Sequence, residues 1–193
     1  MHAQPLESWL AAVLATPGLT SLRDPGEARR VLLDDSLRGA EIVRSFEGSI
    51  VDVGSGGGAP GIPLAYALPD REVALLESNG RKCAFLREHA PANARVIRGR
   101  AEEQEVDAFG VAVAKALAPP PVAAEWCLPL VRVGGAAILW VGPSAEAGRV
   151  ARVADRLGGQ LEQADGFLIL RKVAPTPEGF PRRPGIAKKR PLA

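Results

Sequence analysis

The run Ile50-Val51-Asp52-Val53-Gly54-Ser55-Gly56-Gly57-Gly58-Ala59-Pro60-Gly61 constrains this chain more than any other. Branched apolar residues predict a buried β-strand, the glycines a turn almost without side chains, and Pro60-Gly61 the start of a helix. A bare backbone at that point lets a ligand touch the main chain, and a helix N-terminus adds inward-pointing N–H groups. About twenty residues later Val73-Ala74-Leu75-Leu76-Glu77 reads as a second apolar strand ending in a carboxylate. A carboxylate there can accept hydrogen bonds from both hydroxyls of a ribose. The pair predicts a βαβ unit built around a nucleoside cofactor.

The rest of the chain supports an α/β architecture. Residues 1–47 have helical spacing (Leu6, Leu10, Val13, Leu14), with Asp24 as an N-cap before Pro25 and a helix running through Glu27, Val31 and Leu32. Asp34-Asp35-Ser36 starts a further turn leading through Leu37, Ile42 and Val43 to Phe46. Over 48–178 strands and helices alternate. Strands are expected at Ser49–Val53, Glu72–Glu77, Ala94–Arg98, Val111–Lys115 and Gly135–Val141, and helices at Gly61–Leu68, Gly80–Ala90, Val122–Val131 and Ala145–Leu157. Asp165-Gly166 separates two more extended runs, Gln160–Ala164 and Phe167–Val173, and is a hairpin signal. The expected sheet is therefore seven-stranded and mostly parallel, closed by an antiparallel hairpin. Residues 179–193 form a Pro/Lys/Arg tail without apolar periodicity.

Charge is distributed unevenly. The chain has 24 Lys/Arg and 22 Asp/Glu, but from Arg171 onward there are seven basic residues and one acid, Glu178. The tail is basic and the body mildly acidic, a distribution suited to a polyanion. Cys83 and Cys127 lie far apart in apolar helical patterns and read as buried free thiols. With only His2 and His89 and no metal-ligand spacing, no metal is expected. No apolar run reaches the roughly 20 residues that span a bilayer. The N-terminus lacks the features of a signal peptide, so a cytoplasmic monomer is expected.

The glycine loop fits two patterns. Gly56, Gly58 and Gly61 match the dinucleotide fingerprint, while Asp52, Gly54, Gly56 and Gly58 match the D-x-G-x-G-x-G pattern of S-adenosylmethionine (AdoMet) methyltransferases. The second is favoured. Asp52 lies in the strand before the loop, where it can orient the loop or face a cationic amino-acid group. The closing hairpin suits a methyltransferase sheet, whereas a nicotinamide-binding domain continues with parallel strands.

Longer segments carry a specific resemblance. VDVGSGGGAPGIPL (Val51–Leu64), LLESNGRKCAFL (Leu75–Leu86), GRAEE (Gly99–Glu103), AKALAP (Ala114–Pro119), WCLPLVRVGG (Trp126–Gly135) and PRRPGIAKKRPL (Pro181–Leu192) follow one another in order. LTSLRDPGEA (Leu19–Ala28) and DSL (Asp35–Leu37) precede them. The set resembles the bacterial small-subunit ribosomal RNA methyltransferase G family, also called glucose-inhibited division protein B. That resemblance implies a Rossmann-like methyltransferase fold, AdoMet as cofactor, and methylation of guanine N7 in 16S ribosomal RNA, naked or in the small subunit. By position it implies that Gly54, Ser55 and Ala59 line the cofactor loop, that Ala101 and Glu102 flank the adenine, and that Lys115 faces the cofactor site. Glu77 takes the ribose role. Four positions depart from the family pattern: Leu32 in place of His, Ala59 in place of Phe or Leu, Lys115 in place of Arg, and Val141-Gly142 in place of Lys-Gly.

Guanine N7 has an in-plane lone pair and no proton, so no general base is expected. His89 reads as a helix-end residue. Lys115, Ser36 and Arg23 are candidate donors to guanine O6, and Lys115 is the one candidate for a catalytic role. Arg182, Arg183, Lys188, Lys189 and Arg190 are the expected RNA contacts through phosphate neutralisation. Ending the chain after Glu178 should then weaken RNA capture and spare AdoMet, unless Pro184-Gly185-Ile186 anchors the tail over the cofactor site. Two other readings fit parts of the pattern: a methyltransferase with another RNA or a small-molecule substrate, and a nucleotide-binding regulatory module without chemistry.

Overall fold

The computed structural model describes residues 3–142 and 146–193. The N-terminal segment begins with α1 (Ala3–Ala15). Asp24 then accepts the Glu27 N–H at 2.7 Å and Pro25 occupies the first turn of α2 (Pro25–Ala28). A π-helical turn (Arg29–Asp34) joins α2 to α3 (Asp35–Arg38) without a break, and α4 (Ala40–Arg44) follows.

The sheet contains β1 (Ile50–Val53), β2 (Val73–Glu77), β3 (Ala94–Arg98), β4 (Phe109–Lys115), β5 (Val131–Trp140), β6 (Gly159–Ala164) and β7 (Phe167–Lys172). Their order is β3-β2-β1-β4-β5-β7-β6. The first five strands pair in parallel, and β7 lies antiparallel to both β5 and β6. Chain direction across the sheet reverses between β1 and β4, so the loops leaving these two neighbours open a crevice at the carboxyl edge. The remaining helices are α5 (Gly61–Ala67), α6 (Gly80–His89), α7 (Pro120–Cys127), α8 (Ala147–Arg156) and α9 (Ile186–Lys189). The expected start of α8 at Ala145 lies outside the described residues.

Strand alternation divides the core into two layers. Ile50, Val111, Val113, Ala136 and Ile138 face Leu6, Trp9, Leu10 and Val13 of α1, together with Ile62, Leu64, Phe85 and Leu86. Val51, Val53, Ala112, Ala114, Ala137 and Leu139 face α7 and α8 through Val122, Trp126, Val150 and Val153. Cys83 and Cys127 are buried and free. Among the described residues no helix is long and apolar enough to cross a membrane.

Two sequence expectations change. The helix placed over Val122–Val131 begins at Pro120 and ends at Cys127. A 3₁₀ turn (Leu128–Leu130) containing Pro129 follows, and Val131 already belongs to β5. Proline lacks the N–H that an α-helix would use at that point. The tail is not a solvated extension either. Ala187 of α9 is buried, and Phe180, Leu192 and Ala193 pack on the α7–α8 layer. The charge reading changes with it: Arg171 pairs with Glu162 at 2.6 Å, Lys172 is buried against Asp107 at 3.3 Å, and Arg182 pairs with Glu125 at 2.6 Å.

Candidate active site

The glycine loop is fixed by the strands on either side of it. Gly54 and Ser55 donate their N–H groups to Leu76 O at 2.8 and 3.1 Å, holding the loop against β2. Asp52 is buried behind the loop, where its Oδ2 accepts the Gly61 N–H at 3.0 Å and so ties the end of β1 to the start of α5. A Cβ on Gly61 would lie 2.6 Å from that oxygen, which is why this position requires glycine. Burial raises the Asp52 carboxyl to about 7, hydrogen bonds from Ser55 and Gly61 oppose the shift, and the nearby Glu77 charge adds to it. Asp52 lines neither cleft described below. Its bond to Gly61 organises the loop.

Glu77, at the end of β2, connects three elements. Its Oε2 accepts the Gly56 N–H at 3.0 Å and its Oε1 accepts the Asn79 N–H at 2.8 Å. Asn79 in turn caps α6, accepting from Arg81 and Lys82. Glu77 therefore shapes the loop and still presents a carboxylate to the cleft beside it. That cleft, about 340 Å³, runs from Gly54 past Glu77 and Ser78 to Ala101 and Glu102 on a 3₁₀ turn after β3. Its far wall includes Trp126 of α7 and Lys188 of α9.

A second cleft of about 210 Å³ adjoins the first at Gly54, Lys82 and Ala116. Ala116 has a φ of 53°, an uncommon conformation for a residue with a side chain, at the turn where β4 leaves the sheet. Trp9, Val13, Leu19, Leu32 and Ala59 supply the apolar part of this second cleft. α1 reaches it because Trp9 is buried and donates its Nε1–H to Gly57 O at 2.8 Å. Lys115 lines it as well as Lys82, with Nζ held 2.8 Å from Asp35 Oδ2 and also donating to Val31 O.

The expected site residues therefore fall into groups. Gly54, Glu77, Ala101 and Glu102 line the first cleft, and Gly54, Ser55, Gly56, Ala59 and Lys115 line the second. Gly58, with φ of 106°, lies in the turn and lines neither. Ser36 is buried and donates to Leu32 O, so its hydroxyl proton is engaged within its own helix. Arg23 is exposed. His89 ends α6, stacked on Phe85. Of the tail cations, Lys188 is on the first cleft and Arg182 is turned inward to Glu125. Arg183, Lys189 and Arg190 are exposed.

Leu32, Ala59 and Lys115, three of the four departures from the family pattern, share the second cleft. Sequence reading missed Ala116, Leu117, Lys82 and Trp126. The first two follow the end of β4 and come beside the glycine loop only through the strand order, so no local signal marked them. Trp126 sits within an apolar helix and gave none.

A sequence model of the family described as rRNA small subunit methyltransferase G matches residues 4–155. Among curated proteins, ribosomal RNA small subunit methyltransferase G of Synechococcus sp. (strain JA-3-3Ab) is 39% identical, covering 98% of this chain and 84% of its own. The protein of that name from Pelotomaculum thermopropionicum is also 39% identical, over 82% of this chain and 76% of its own. Solved structures are more distant and show the fold alone. A putative RNA methyltransferase from Pyrococcus horikoshii aligns with a TM-score of 0.58 at 14% identity, covering 90% of this chain and 99% of its own. The Thermus thermophilus 16S rRNA N2 G1207 methyltransferase, solved with AdoMet and guanosine, gives 0.53 at 16% identity over 72% of this chain and 40% of its own.

Proposed function

This chain belongs to the rRNA small subunit methyltransferase G family, AdoMet-dependent enzymes that modify ribosomal RNA, and on that premise we propose that it methylates N7 of a guanine in 16S ribosomal RNA. The observation that carries this reading is the pair of clefts meeting at Gly54, Lys82 and Ala116. The first suits the adenosyl part of AdoMet: Glu77 faces the ribose, Ala101 and Glu102 the adenine, and the bare loop backbone lets the ligand approach. Trp126, which lines this cleft, adds an aromatic surface to its wall. The second, smaller, more enclosed and more apolar, suits a nucleobase presented edge-on to the junction.

AdoMet supplies an electrophilic methyl group on a sulfonium. The protein's contribution is orientation, worth up to about 7–11 kcal/mol in favourable cases. Guanine N7 needs no proton removed, and among the described residues neither cleft is lined by histidine. Positive charge moves onto the purine as the methyl transfers. A bare cation beside it would oppose that movement, and Asp35 at 2.8 Å from Lys115 Nζ offsets the lysine charge. Lys115 can still donate a hydrogen bond towards a base carbonyl. Ribosomal RNA as substrate also supports a cytoplasmic location.

The test is to map N7-methylguanine in ribosomal RNA from cells with and without this gene. One guanine in 16S ribosomal RNA is expected to lose its mark and to regain it with the purified protein and AdoMet. A methyl group found at another atom, or no difference between the cells, refutes the N7 assignment.

A further inference from the structure

We propose that the C-terminal strap is a wall of the AdoMet cleft, with Arg182 as the positioning residue that holds Lys188 over its adenine end. Glu125 is only 3% exposed on α7, inside an apolar layer. Arg182 reaches it with a two-pronged contact, Nε to Oε1 and Nη2 to Oε2, both 2.6 Å. Planar guanidinium matches carboxylate in this geometry, and an ammonium cannot reproduce it. The same Nη2 also donates to Arg190 O at 2.8 Å, which closes the strap into a loop from 182 to 190.

That loop brings two groups to the cleft. The Gly185 N–H donates to Glu102 Oε1 at 3.1 Å, fixing one carboxylate at the cleft edge. Lys188 Nζ stands 5.3 Å from the centre of the Trp126 ring, and both residues line the cleft. Trp126 thus carries the contact between the strap and the cleft wall. Arg183 and Lys189 are exposed and line neither cleft. The strap thus has an inner side committed to the cofactor and an outer side free for phosphate. Its role in RNA capture and its role in the cofactor site belong to different residues.

The inference rests on AdoMet occupying the cleft beside Glu77, and the experiment separates the two ideas. Calorimetry without RNA measures the AdoMet dissociation constant of full-length Lys188→Ala, Arg182→Gln, Arg182→Lys, Arg183→Ala and Glu77→Ala. Lys188→Ala and Arg182→Gln are expected to weaken binding by about five- to tenfold, the effect of roughly one hydrogen bond. Arg182→Lys should recover part of the loss, since it restores the charge without the fork. Arg183→Ala should bind AdoMet within about twofold of wild type, yet flatten the salt dependence of RNA affinity by about one unit. In turnover, the first two raise KM for AdoMet and leave KM for RNA unchanged. If Glu77→Ala weakens AdoMet while Lys188→Ala and Arg182→Gln do not, the strap inference is overturned and the cleft assignment stands. If Glu77→Ala also binds normally, the cleft assignment fails and the inference falls with it. Should Arg182→Gln not fold, Lys188→Ala decides, because Lys188 is exposed and its side chain is no part of the buried core.

Discussion

Both ends of this chain fold over the carboxyl edge of the sheet, but different forces hold them there. The N-terminal cover is apolar: Leu6, Trp9, Leu10 and Val13 enter the core, and one indole hydrogen bond fastens α1 to the glycine loop. The C-terminal cover is polar at its anchor, where Arg182 and Glu125 meet inside an apolar layer. Burial of an apolar stripe is nearly indifferent to which neighbour it meets. A buried ion pair depends wholly on its partner, because removing one charge leaves the other desolvated and alone. The N-terminal cover should therefore tolerate substitution gradually, and the C-terminal cover should fail abruptly.

The largest effect is expected from ending the chain after Glu178. Glu125 then loses its counter-charge, a cost of about 3–5 kcal/mol before the lost packing of Phe180, Ala187 and Leu192 is counted. The melting temperature should fall by roughly 10 °C or more for a chain of this size, read by circular dichroism. AdoMet affinity should fall as well, contrary to the expectation for a solvated tail. An unchanged melting temperature would remove the contrast between the two covers.

Between the covers lies Asp52, whose effect is intermediate. Its folded carboxyl titrates near 7, above the ordinary carboxylate range, because burial disfavours the charged form. The folded protein keeps a proton that the unfolded chain has released, so this group's contribution to stability falls as pH rises from about 4 to 7. The slope is about 1.4 kcal/mol per pH unit within that window. Asp52→Asn keeps an acceptor for the Gly61 N–H and should flatten the curve of melting temperature against pH. If the variant and wild type run parallel from pH 5 to 8, Asp52 is not the titrating group.

The smallest effect belongs to the apolar cover. Trp9→Phe removes the bond to Gly57 O and some volume, and should cost about 1–2 kcal/mol in urea unfolding. A loss as large as that of the truncated strap would show that the two covers are equally brittle.

The parts of this protein legible in its sequence are those with local causes. Branched strand residues, the glycine turn, the Asp24-Pro25 cap and the Asp165-Gly166 hairpin each act within a few residues of themselves. They located all seven strands and placed Glu77 at a strand end, and the family resemblance pointed to the AdoMet methyltransferase fold. Strand order, the meeting of the β1 and β4 loops, and the second cleft under α1 arise from contacts between distant segments. The clearest difference is in charge. Lys172, Arg171 and Arg182 counted in the sequence as tail cations, yet each has an acidic partner: Asp107 and Glu125, far along the chain, for Lys172 and Arg182, and Glu162, across the β6–β7 hairpin, for Arg171. Local pattern determines which face of a helix or strand is apolar, because that depends on backbone geometry alone. Only the tertiary structure decides which charges neutralise one another, because a Coulomb interaction depends on distance in space and on burial.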